Sequence, residues 1–310
     1  MTHLTSPDGT PASRFAFGTM QFGGTADETA SRAMFDACIA AGITHFDTAN
    51  LYTDGAAEEM LGRFAAPMRE RLIIATKVGY VGGAGRDNLL AQFDVSRKRL
   101  GMDHVDILYL HRFDPDTDLR ETLETFASLR DQGRITHMGL SNIAAWQVMK
   151  AACLGAEFSL SPAILQPMYN LVKRQAEVEI LPMCASEGIA IAPYSPLAGG
   201  LLTGKYAQGE TGRLTENDRY ATRYGQDWMH QAARDLSQIA ADLGTHPATL
   251  AAAWVARHPA HPMPILSARS LEQLQPSLDA IAYDMDAALY DRLAALSPAP
   301  PPATDRLEEA

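Results

Sequence analysis

Short apolar runs alternate with amphipathic stretches along this chain, at a step of roughly thirty residues. The runs are continuously apolar, which is typical of parallel strands that are covered on both faces. Eight of them occur, at residues 14–20, 43–47, 72–77, 105–111, 135–140, 163–166, 189–194 and 264–267. Because no change of composition separates them, they predict the α/β class and a single-domain closed (β/α)8 barrel, a TIM barrel, with an open doubly wound sheet as the alternative.

Start and stop signals predict several of the intervening helices. One runs from about Asp27 to Ala41, one from Asp87 to Leu100, and one from residues 116–118 to residues 132–133. The polar stretch 199–227 is too long for an ordinary connection and is expected to be functional. We expect residues 1–296 to form the barrel and the proline-rich, then charged residues 297–310 to form a mobile tail.

Composition narrows the class of protein. The chain has 310 residues, of which 46% are apolar, so it can bury one large core without disulfides. Its three cysteines (Cys38, Cys153 and Cys184) form no disulfide or metal pattern. The net charge of −11 disfavours nucleic acid and anionic membranes as partners, so any bound anion needs a local basic pocket. Since no export signal or membrane span is evident, we expect a cytoplasmic location.

Polar residues stand at or just after the ends of several predicted strands. Active sites of such barrels collect at the carboxyl ends of the strands. Each of these residues could be polar by chance, but the set together indicates a site: Asp47, Lys77, His111, Ser141, Asn142, Gln166 and Tyr194.

Four titratable groups in this region favour proton transfer. Asp47 is the natural partner of a buried Lys77. Tyr52 follows on the next loop, and a neighbouring lysine is expected to lower the pKa of its phenol and so suit it to general acid catalysis. His111 could orient a substrate oxygen or share in the proton relay, depending on its tautomer.

The same residues contain no electron donor, so a reducing cofactor would complete them. Ser141, Asn142 and Gln166 could hold a carboxamide, and Tyr194 offers a flat face for a ring. This combination suits nicotinamide, although Tyr194 alone could equally be a packed aromatic before Pro196.

Other candidate sites are weaker. Gly83–Asn88 is an incomplete dinucleotide motif, and a loop capped by Asp87 explains it better. The loop after His111 carries Asp114 and Asp116, but no second strand-end histidine completes a metal site. His45 is expected to be a core residue, and Arg213, Arg219 and Arg223 either bind phosphate or a substrate carboxylate or are solvated.

Ordered motifs from about Phe15 to Ala282 resemble the aldo-keto reductases. They are Gly18–Met20, Phe46–Tyr52 followed by Glu58 and Leu61–Gly62, Thr76–Lys77, Val105–His111, Gly139–Asn142, Gln166–Asn170 and Tyr194–Tyr206. Within that superfamily, the segment from Ala198 to Tyr206 is similar to the aflatoxin-aldehyde reductase and potassium-channel β-subunit branches.

The resemblance implies a site without a metal, in which Tyr52 is the proton donor and Asp47, Lys77 and His111 support it. The residues expected to bind the cofactor are Gly18, Thr19, Met20, Asp47, Ser141, Asn142, Gln166, Tyr194, Ser195, Pro196, Leu197, Gly199, Leu201, Lys205, Ser267, Arg269 and Gln273. Those expected to contact the substrate are Met20, Tyr52, His111 and Arg112, where the arginine hints at an anionic or polar substrate.

The adenosine end departs from the family pattern, because Pro276 and Ser277 replace its usual acid and asparagine. Arg269, at the start of a helix, suits a 2′-phosphate, so NADPH is expected, with NADH possible. The resemblance thus implies reduction of a small aldehyde or ketone to the alcohol. The alternative is a nicotinamide-cofactor-sensing regulatory protein with negligible turnover. The natural substrate and the oligomeric state do not follow from the sequence.

Overall fold

The computed structural model describes residues 4–306 and 308, and in them the eight apolar runs form one parallel sheet. Its strands are β1 (Ala16–Gly18), β2 (His45–Asp47), β3 (Ile73–Val78), β4 (Val105–Leu110), β5 (Ile135–Ser141), β6 (Pro162–Gln166), β7 (Ala190–Ile191) and β8 (Ile265–Leu266).

The sheet closes on itself. Its strand order is β7-β6-β5-β4-β3-β2-β1-β8. The two ends of this order meet, since the backbone N–H of Met263 donates to the carbonyl of Ile191 at 2.7 Å and that of Ile265 donates to Pro193 at 2.9 Å. The predicted (β/α)8 barrel is therefore confirmed, and the open doubly wound sheet is wrong.

Helices connect the strands and follow the last of them. They are α1 (Glu28–Ala40), α2 (Ala56–Ala65), α3 (Arg86–Leu100), α4 (Leu119–Asp131), α5 (Ala145–Gly155), α6 (Ile180–Glu187), α7 (Arg213–Glu216), α8 (Asp218–Tyr224), α9 (Asp227–Asp242), α10 (Pro247–Arg257), α11 (Leu271–Asp279) and α12 (Ala287–Ala294).

The helix starts follow the predicted capping residues with one exception. The side chains of Asp27 and Asp118 accept hydrogen bonds from the first turns of α1 and α4, as N-caps do. Helix α3 instead has Gly85 at its N-cap. Asp87, expected to cap it, lies inside the first turn, where a carboxylate interacts favourably with the helix dipole.

The barrel interior is apolar below the strand ends. Alternate residues such as Ile73, Ala75, Ile107 and Ile164 point inward and form one buried cluster. Leu4 joins this cluster, so the N-terminal segment lies against one end of it. A packed interior leaves the carboxyl ends of the strands as the place for a cavity.

The segment between β7 and α9 forms a separate structural unit, which we call the lid. It comprises two 3-10 helices (Ala198–Thr203 and Lys205–Gln208) followed by α7 and α8. Tyr220 of α8 packs against Gly199, where an added Cβ would overlap its ring. The lid is therefore folded back on its own first turn.

The C-terminal residues have two parts. Ser297 is buried and accepts hydrogen bonds from Arg174. Residues 298–306 form no helix or strand, and residues 307, 309 and 310 of the expected tail lie outside the described residues. Within the described part of the chain, no helix has the length and apolar character that crossing a membrane requires.

Candidate active site

Asp47 and Lys77 form a buried ion pair at the carboxyl ends of β2 and β3. The ammonium of Lys77 donates to Asp47 Oδ2 at 2.5 Å and to the carbonyl of Thr48 at 2.7 Å. Lys77 is fully buried. Burial favours the neutral amine, but Asp47 and Tyr52 outweigh it, so the pKa of Lys77 is raised and the lysine stays charged.

Tyr52 is brought to this pair by a tight turn. Its hydroxyl lies 3.5 Å from Lys77 Nζ. The turn continues through left-handed residues at Thr53 (φ 46°), Asp54 (φ 53°) and Gly55 (φ 104°) before α2 begins. Only glycine adopts the φ angle of Gly55 without strain. The turn determines where the phenol of Tyr52 lies.

The expected lowering of the Tyr52 pKa is wrong. Burial raises the pKa of Tyr52, and the nearby charge of Lys77 offsets only part of that increase. The charge of the lysine is evident from the sequence, whereas the burial of the ring depends on the fold. The phenol is therefore protonated at neutral pH and able to donate its proton.

Two aromatic rings enclose the ammonium of Lys77. It lies 5.1 Å from the Tyr52 ring centroid and 5.7 Å from that of Tyr109. Such contacts favour a cation over a neutral amine. Tyr109 fits inside the barrel because Gly139 on β5 has no side chain, and an added Cβ would overlap the ring.

His111 follows β4, and its ring stands nearly perpendicular to that of Tyr52, with 6.2 Å between the ring centroids. Burial, Lys77 and Arg112 lower the pKa of His111 to about 3. The imidazole is thus neutral near pH 7. The sequence left two roles open for His111, orientation of a substrate oxygen and a share in the proton relay. A neutral ring suits the first of them.

The predicted carboxamide-binding residues form a connected network beside Asp47. Gln166 Nε2 donates to Asp47 Oδ1 at 2.9 Å, which fixes its amide orientation. Ser141 Oγ donates to the carbonyl of Gln166 at 3.0 Å, and Asn142 Nδ2 donates to the carbonyl of His111 at 3.0 Å. The Tyr194 hydroxyl donates to Asn142 Oδ1 at 2.8 Å. Tyr194 is therefore joined to this network and is only partly buried.

A cavity of about 910 Å³ joins this network to the lid. Most of the predicted cofactor and substrate residues line it: Gly18, Met20, Asp47, Tyr52, His111, Arg112, Ser141, Asn142, Gln166, Tyr194, Ser195, Pro196, Leu197, Gly199, Lys205, Ser267, Arg269 and Gln273. Thr19 and Leu201 do not line it.

The far end of the cavity is curved and cationic. Left-handed backbone at Ser195, Ala198, Gly199 and Gly200 turns the chain along its wall. Such turns aim successive backbone N–H groups at one point, as anion-binding loops do.

Lys205, Arg269 and Glu216 lie near one another at this end of the cavity. Burial and the neighbouring charge of Arg269 lower the pKa of Lys205. Arg269 itself pairs with Glu216 of the lid at 3.2 Å.

Several lining residues were not among those predicted to bind the cofactor or the substrate. Tyr80 follows β3, Tyr220 lies on α8, and His246 is the N-cap of α10. Three arginines near Tyr220 in the sequence, at positions 213, 219 and 223, were the feature that could have indicated that this segment lines the cavity. Pro276 and Ser277, noted only as departures from a family pattern, also line the cavity.

Comparison with known proteins places this site in a family. The model of the aldo/keto reductase family matches residues 14–298, so the chain belongs to that family. It is 34% identical over 287 residues to human aflatoxin B1 aldehyde reductase member 2, covering 85% of this chain and 80% of the relative.

Two further relatives cover most of the chain. It is 31% identical over 293 residues to a probable voltage-gated potassium channel subunit beta of Oryza sativa subsp. japonica, covering 88% of each chain. It is 32% identical over 270 residues to L-glyceraldehyde 3-phosphate reductase of Escherichia coli strain K12, covering 81% of this chain and 78% of the relative.

Proposed function

We propose that this protein is an NADPH-dependent carbonyl reductase that converts an aldehyde or ketone to the alcohol, with Tyr52 as proton donor. One observation carries the proposal. Asp47, Lys77, Tyr52 and His111 come from three strand ends and one turn, and they meet at the wall of the cavity, which Asp47, Tyr52 and His111 line. Two of the relatives above are named as reductases of aldehydes, which agrees with this reaction class.

The cavity is suited to a nicotinamide dinucleotide in size and in donor chemistry. Its volume of about 910 Å³ is at the upper end of small-ligand pockets. Ser141, Asn142 and Gln166 would hold the carboxamide, and the ring of Tyr194 would face the nicotinamide. When bound, the reduced nicotinamide supplies the hydride that carbonyl reduction needs.

The phosphate-binding assignments rest on the cationic end. The loop Ser195–Leu201 would hold the pyrophosphate, assisted by Lys205. Arg269 would hold a 2′-phosphate through charge-assisted hydrogen bonds, which favours NADPH over NADH.

The chain's own residues then transfer and position the proton. Tyr52 donates it from Oη to the oxygen that gains negative charge. Lys77 stabilises the phenolate that remains, and Asp47 keeps Lys77 charged and in place. The neutral ring of His111 orients the substrate oxygen beside Tyr52.

A regulatory protein that binds the cofactor with negligible turnover is the second candidate. The similarity to a probable potassium channel subunit beta favours it. The four assembled proton-transfer residues favour the enzyme instead, since a protein that only binds cofactor does not need a proton donor.

Purified protein mixed with NADPH and a panel of aldehydes tests both candidates. We expect NADPH oxidation that depends on the aldehyde, and we expect Tyr52→Phe to lose at least a hundredfold in kcat while its Kd for NADPH changes less than about threefold. Tight NADPH binding without oxidation by any aldehyde would instead support the regulatory candidate. Full activity of Tyr52→Phe would mean that another group donates the proton.

A further inference from the structure

Helix α3 has a row of polar side chains, at positions 88, 92, 96 and 99, that contact the loops after β2 and β3. Intervals of four, four and three residues put them on one face of the helix. The first two donate to the carbonyl of Val81, after β3, at 2.9 and 2.8 Å. The last two contact Asn50, in the loop after β2 that leads to Tyr52. One helix face therefore supports both loops.

Arg99 binds the backbone on both sides of Tyr52. One nitrogen of its guanidinium donates to the carbonyl of Asn50 at 2.8 Å, and another donates to that of Asp54 at 3.2 Å. These carbonyls belong to the second residue before Tyr52 and the second residue after it. Because a guanidinium is planar and rigid, it fixes the two carbonyls relative to each other. The turn that carries the phenol is thus held at both ends.

Gly55 makes room for this contact. A Cβ on Gly55 would overlap the guanidinium of Arg99. The same residue has a φ of 104°, which glycine adopts without strain. The absence of a side chain at this position therefore serves both the turn and the arginine.

The turn needs such contacts because two of its other residues lie in the left-handed region. Thr53 has a φ of 46° and Asp54 a φ of 53°. Non-glycine residues persist in this region where the surrounding structure holds them there. Thr53 Oγ1 donates to the carbonyl of Phe22 at 2.8 Å, and Arg99 binds the carbonyl of Asp54. Each of the two left-handed residues is therefore bound by a group from another element.

Glu58 connects Arg99 to the strand that contains Lys77. This carboxylate on α2 is fully buried, and its Oε2 lies 3.5 Å from the guanidinium of Arg99. Its Oε1 accepts a hydrogen bond from Thr76 Oγ1 at 2.6 Å. Thr76 directly precedes Lys77 on β3. The turn of Tyr52 and the strand of Lys77 are thus joined through one buried carboxylate.

We propose that Arg99 is a positioning residue for the reduction: by holding the backbone on both sides of Tyr52, it sets where the phenol lies relative to Lys77. Glu58 in turn holds the guanidinium. The inference rests on the proposed function, since it concerns the placement of the proton donor. Arg99 does not line the cavity, so it acts through the turn and not on a ligand.

The kinetics of Arg99→Ala test this role. For the aldehyde that the wild type reduces fastest, we expect kcat to fall about ten- to a hundredfold, because a small displacement of a catalytic group is costly. KM and the Kd for NADPH should change less than about threefold, since Arg99 does not line the cavity. Expressing kcat per NADPH-binding site, counted by titration, removes any contribution of unfolded chains.

Arg97→Ala is the matched control. Arg97 lies on the same helix, two residues before Arg99, and its ion-pair partners Asp94 and Asp103 lie outside the Tyr52 turn. The substitution removes the same charge and also breaks ion pairs. We expect kcat within about twofold of wild type, because pairs with such exposed carboxylates contribute little.

A double variant tests the link through Glu58. Glu58→Gln keeps an acceptor for Thr76 and removes the charge that faces Arg99. Because both residues act through the same turn, their effects should not add. Combining Glu58→Gln with Arg99→Ala should lower kcat less than about twofold below that of Arg99→Ala alone.

Two kinds of rescue distinguish positioning from a general loss of stability. Arg99→Lys keeps the charge without the planar group, so it should have a kcat between those of Arg99→Ala and wild type. The side chain of Arg99 is 26% exposed, so a small cation can reach its position from solvent. Methylguanidinium chloride should raise kcat of Arg99→Ala about threefold or more over sodium chloride at equal ionic strength. It should not raise that of Tyr52→Phe, which lacks the proton donor.

Hydrogen exchange measures the turn itself without turnover. The backbone N–H of Tyr52 donates to the carbonyl of Ala49 at 3.0 Å, and that of Ala57 donates to Thr53 Oγ1 at 3.0 Å. We expect peptides that cover residues 49–57 to exchange about tenfold faster in Arg99→Ala than in wild type, because the turn opens more often. In Arg97→Ala their exchange should be unchanged.

The outcomes separate this inference from the proposed function. A wild-type kcat in Arg99→Ala, equal losses in Arg99→Ala and Arg97→Ala, or unchanged exchange at residues 49–57 would each overturn the positioning role and leave the reductase intact. If Arg99→Ala does not fold, Arg99→Lys decides: a wild-type kcat overturns the role, and a lower kcat with faster exchange of the turn supports it. No oxidation of NADPH by the wild type with any aldehyde would overturn the proposed function, and with it the role of Arg99 in that reaction.

Discussion

At the scale of single residues, the barrel interior contains a histidine that has no role in the proposed reaction. His45 is fully buried, and neither ring nitrogen has a hydrogen-bond partner among the described residues. Burial lowers its pKa to about 4, although Asp47 acts in the opposite direction and Lys77 adds to the lowering. The expected core histidine is therefore present, and it is neutral.

This histidine makes the fold sensitive to acid. The unfolded chain takes up a proton at His45 near pH 6.5, and the folded chain does so only near pH 4. The unfolded state binds more protons between these values, so stability falls as pH falls through them. Between pH 7 and pH 5, we expect His45 to account for about 2 kcal/mol of lost stability.

Urea denaturation at pH 7 and pH 5 measures the difference. His45→Leu should lose about 2 kcal/mol less than wild type over this interval, whatever its stability at pH 7. His230→Gln, on α9, should follow wild type. His111, whose pKa is also lowered, contributes the same loss of stability in all three proteins, so its contribution cancels in the comparison. An identical loss in wild type and His45→Leu would contradict the assignment.

At the scale of elements, the lid and α11 are joined by an ion pair that involves the proposed 2′-phosphate site. Glu216 ends α7, and Arg269 lies two residues before α11. Their contact of 3.2 Å is partly exposed, at 32% for Arg269 and 48% for Glu216. A 2′-phosphate on Arg269 would have to compete with this carboxylate.

Removing the carboxylate should therefore favour NADPH. We expect Glu216→Gln to tighten NADPH binding about two- to fivefold, the scale of an exposed ion pair, and to leave NADH binding unchanged. Arg269→Ala should weaken NADPH at least tenfold with little effect on NADH.

Fluorescence titration with each cofactor measures these constants, and Asp218→Asn on α8 provides a lid control. Equal changes for NADPH and NADH would show that Arg269 does not bind the 2′-phosphate.

The elements also show where sequence patterns are insufficient. The apolar strands and the capped helices α1 and α4 were predictable because each carries its own local signal. The helices α7 and α8 have four and seven residues. Helices this short are not stable by themselves and depend on tertiary packing, so the lid was predicted only as a functional excursion.

At the scale of the whole molecule, the C-terminal boundary of the domain is testable. Tyr290 on α12 stacks on Trp254 at 5.5 Å, and Arg174 donates to the carbonyl of Ala294 at 2.9 Å. The residues after Ser297 are mostly exposed in the described part of the chain. We propose that the folded domain ends near Ser297 and that the described residues 298–306 and 308 form a mobile tail.

Truncation separates the two parts. Removing residues 298–310 should change Tm by less than about 1 °C, because little buried surface is lost. Removing residues 287–310 also deletes α12 and its contacts with Trp254. This deletion should lower Tm by several degrees, since each kcal/mol of lost stability lowers the Tm of a large domain by about 2–4 °C. Differential scanning calorimetry decides. A large loss of Tm in the shorter deletion would place the tail in the folded domain.

The sequence by itself determined the repeated strand and helix pattern, the residues at the strand ends and the acidic net charge, because these are properties of local order and composition. Tertiary structure decided what depends on distant residues meeting. It partly buried Tyr52 and so raised the pKa of the phenol, made His111 neutral, and paired Arg269 with Glu216. Burial and charge act through space, so no pattern along the chain could show which effect would dominate.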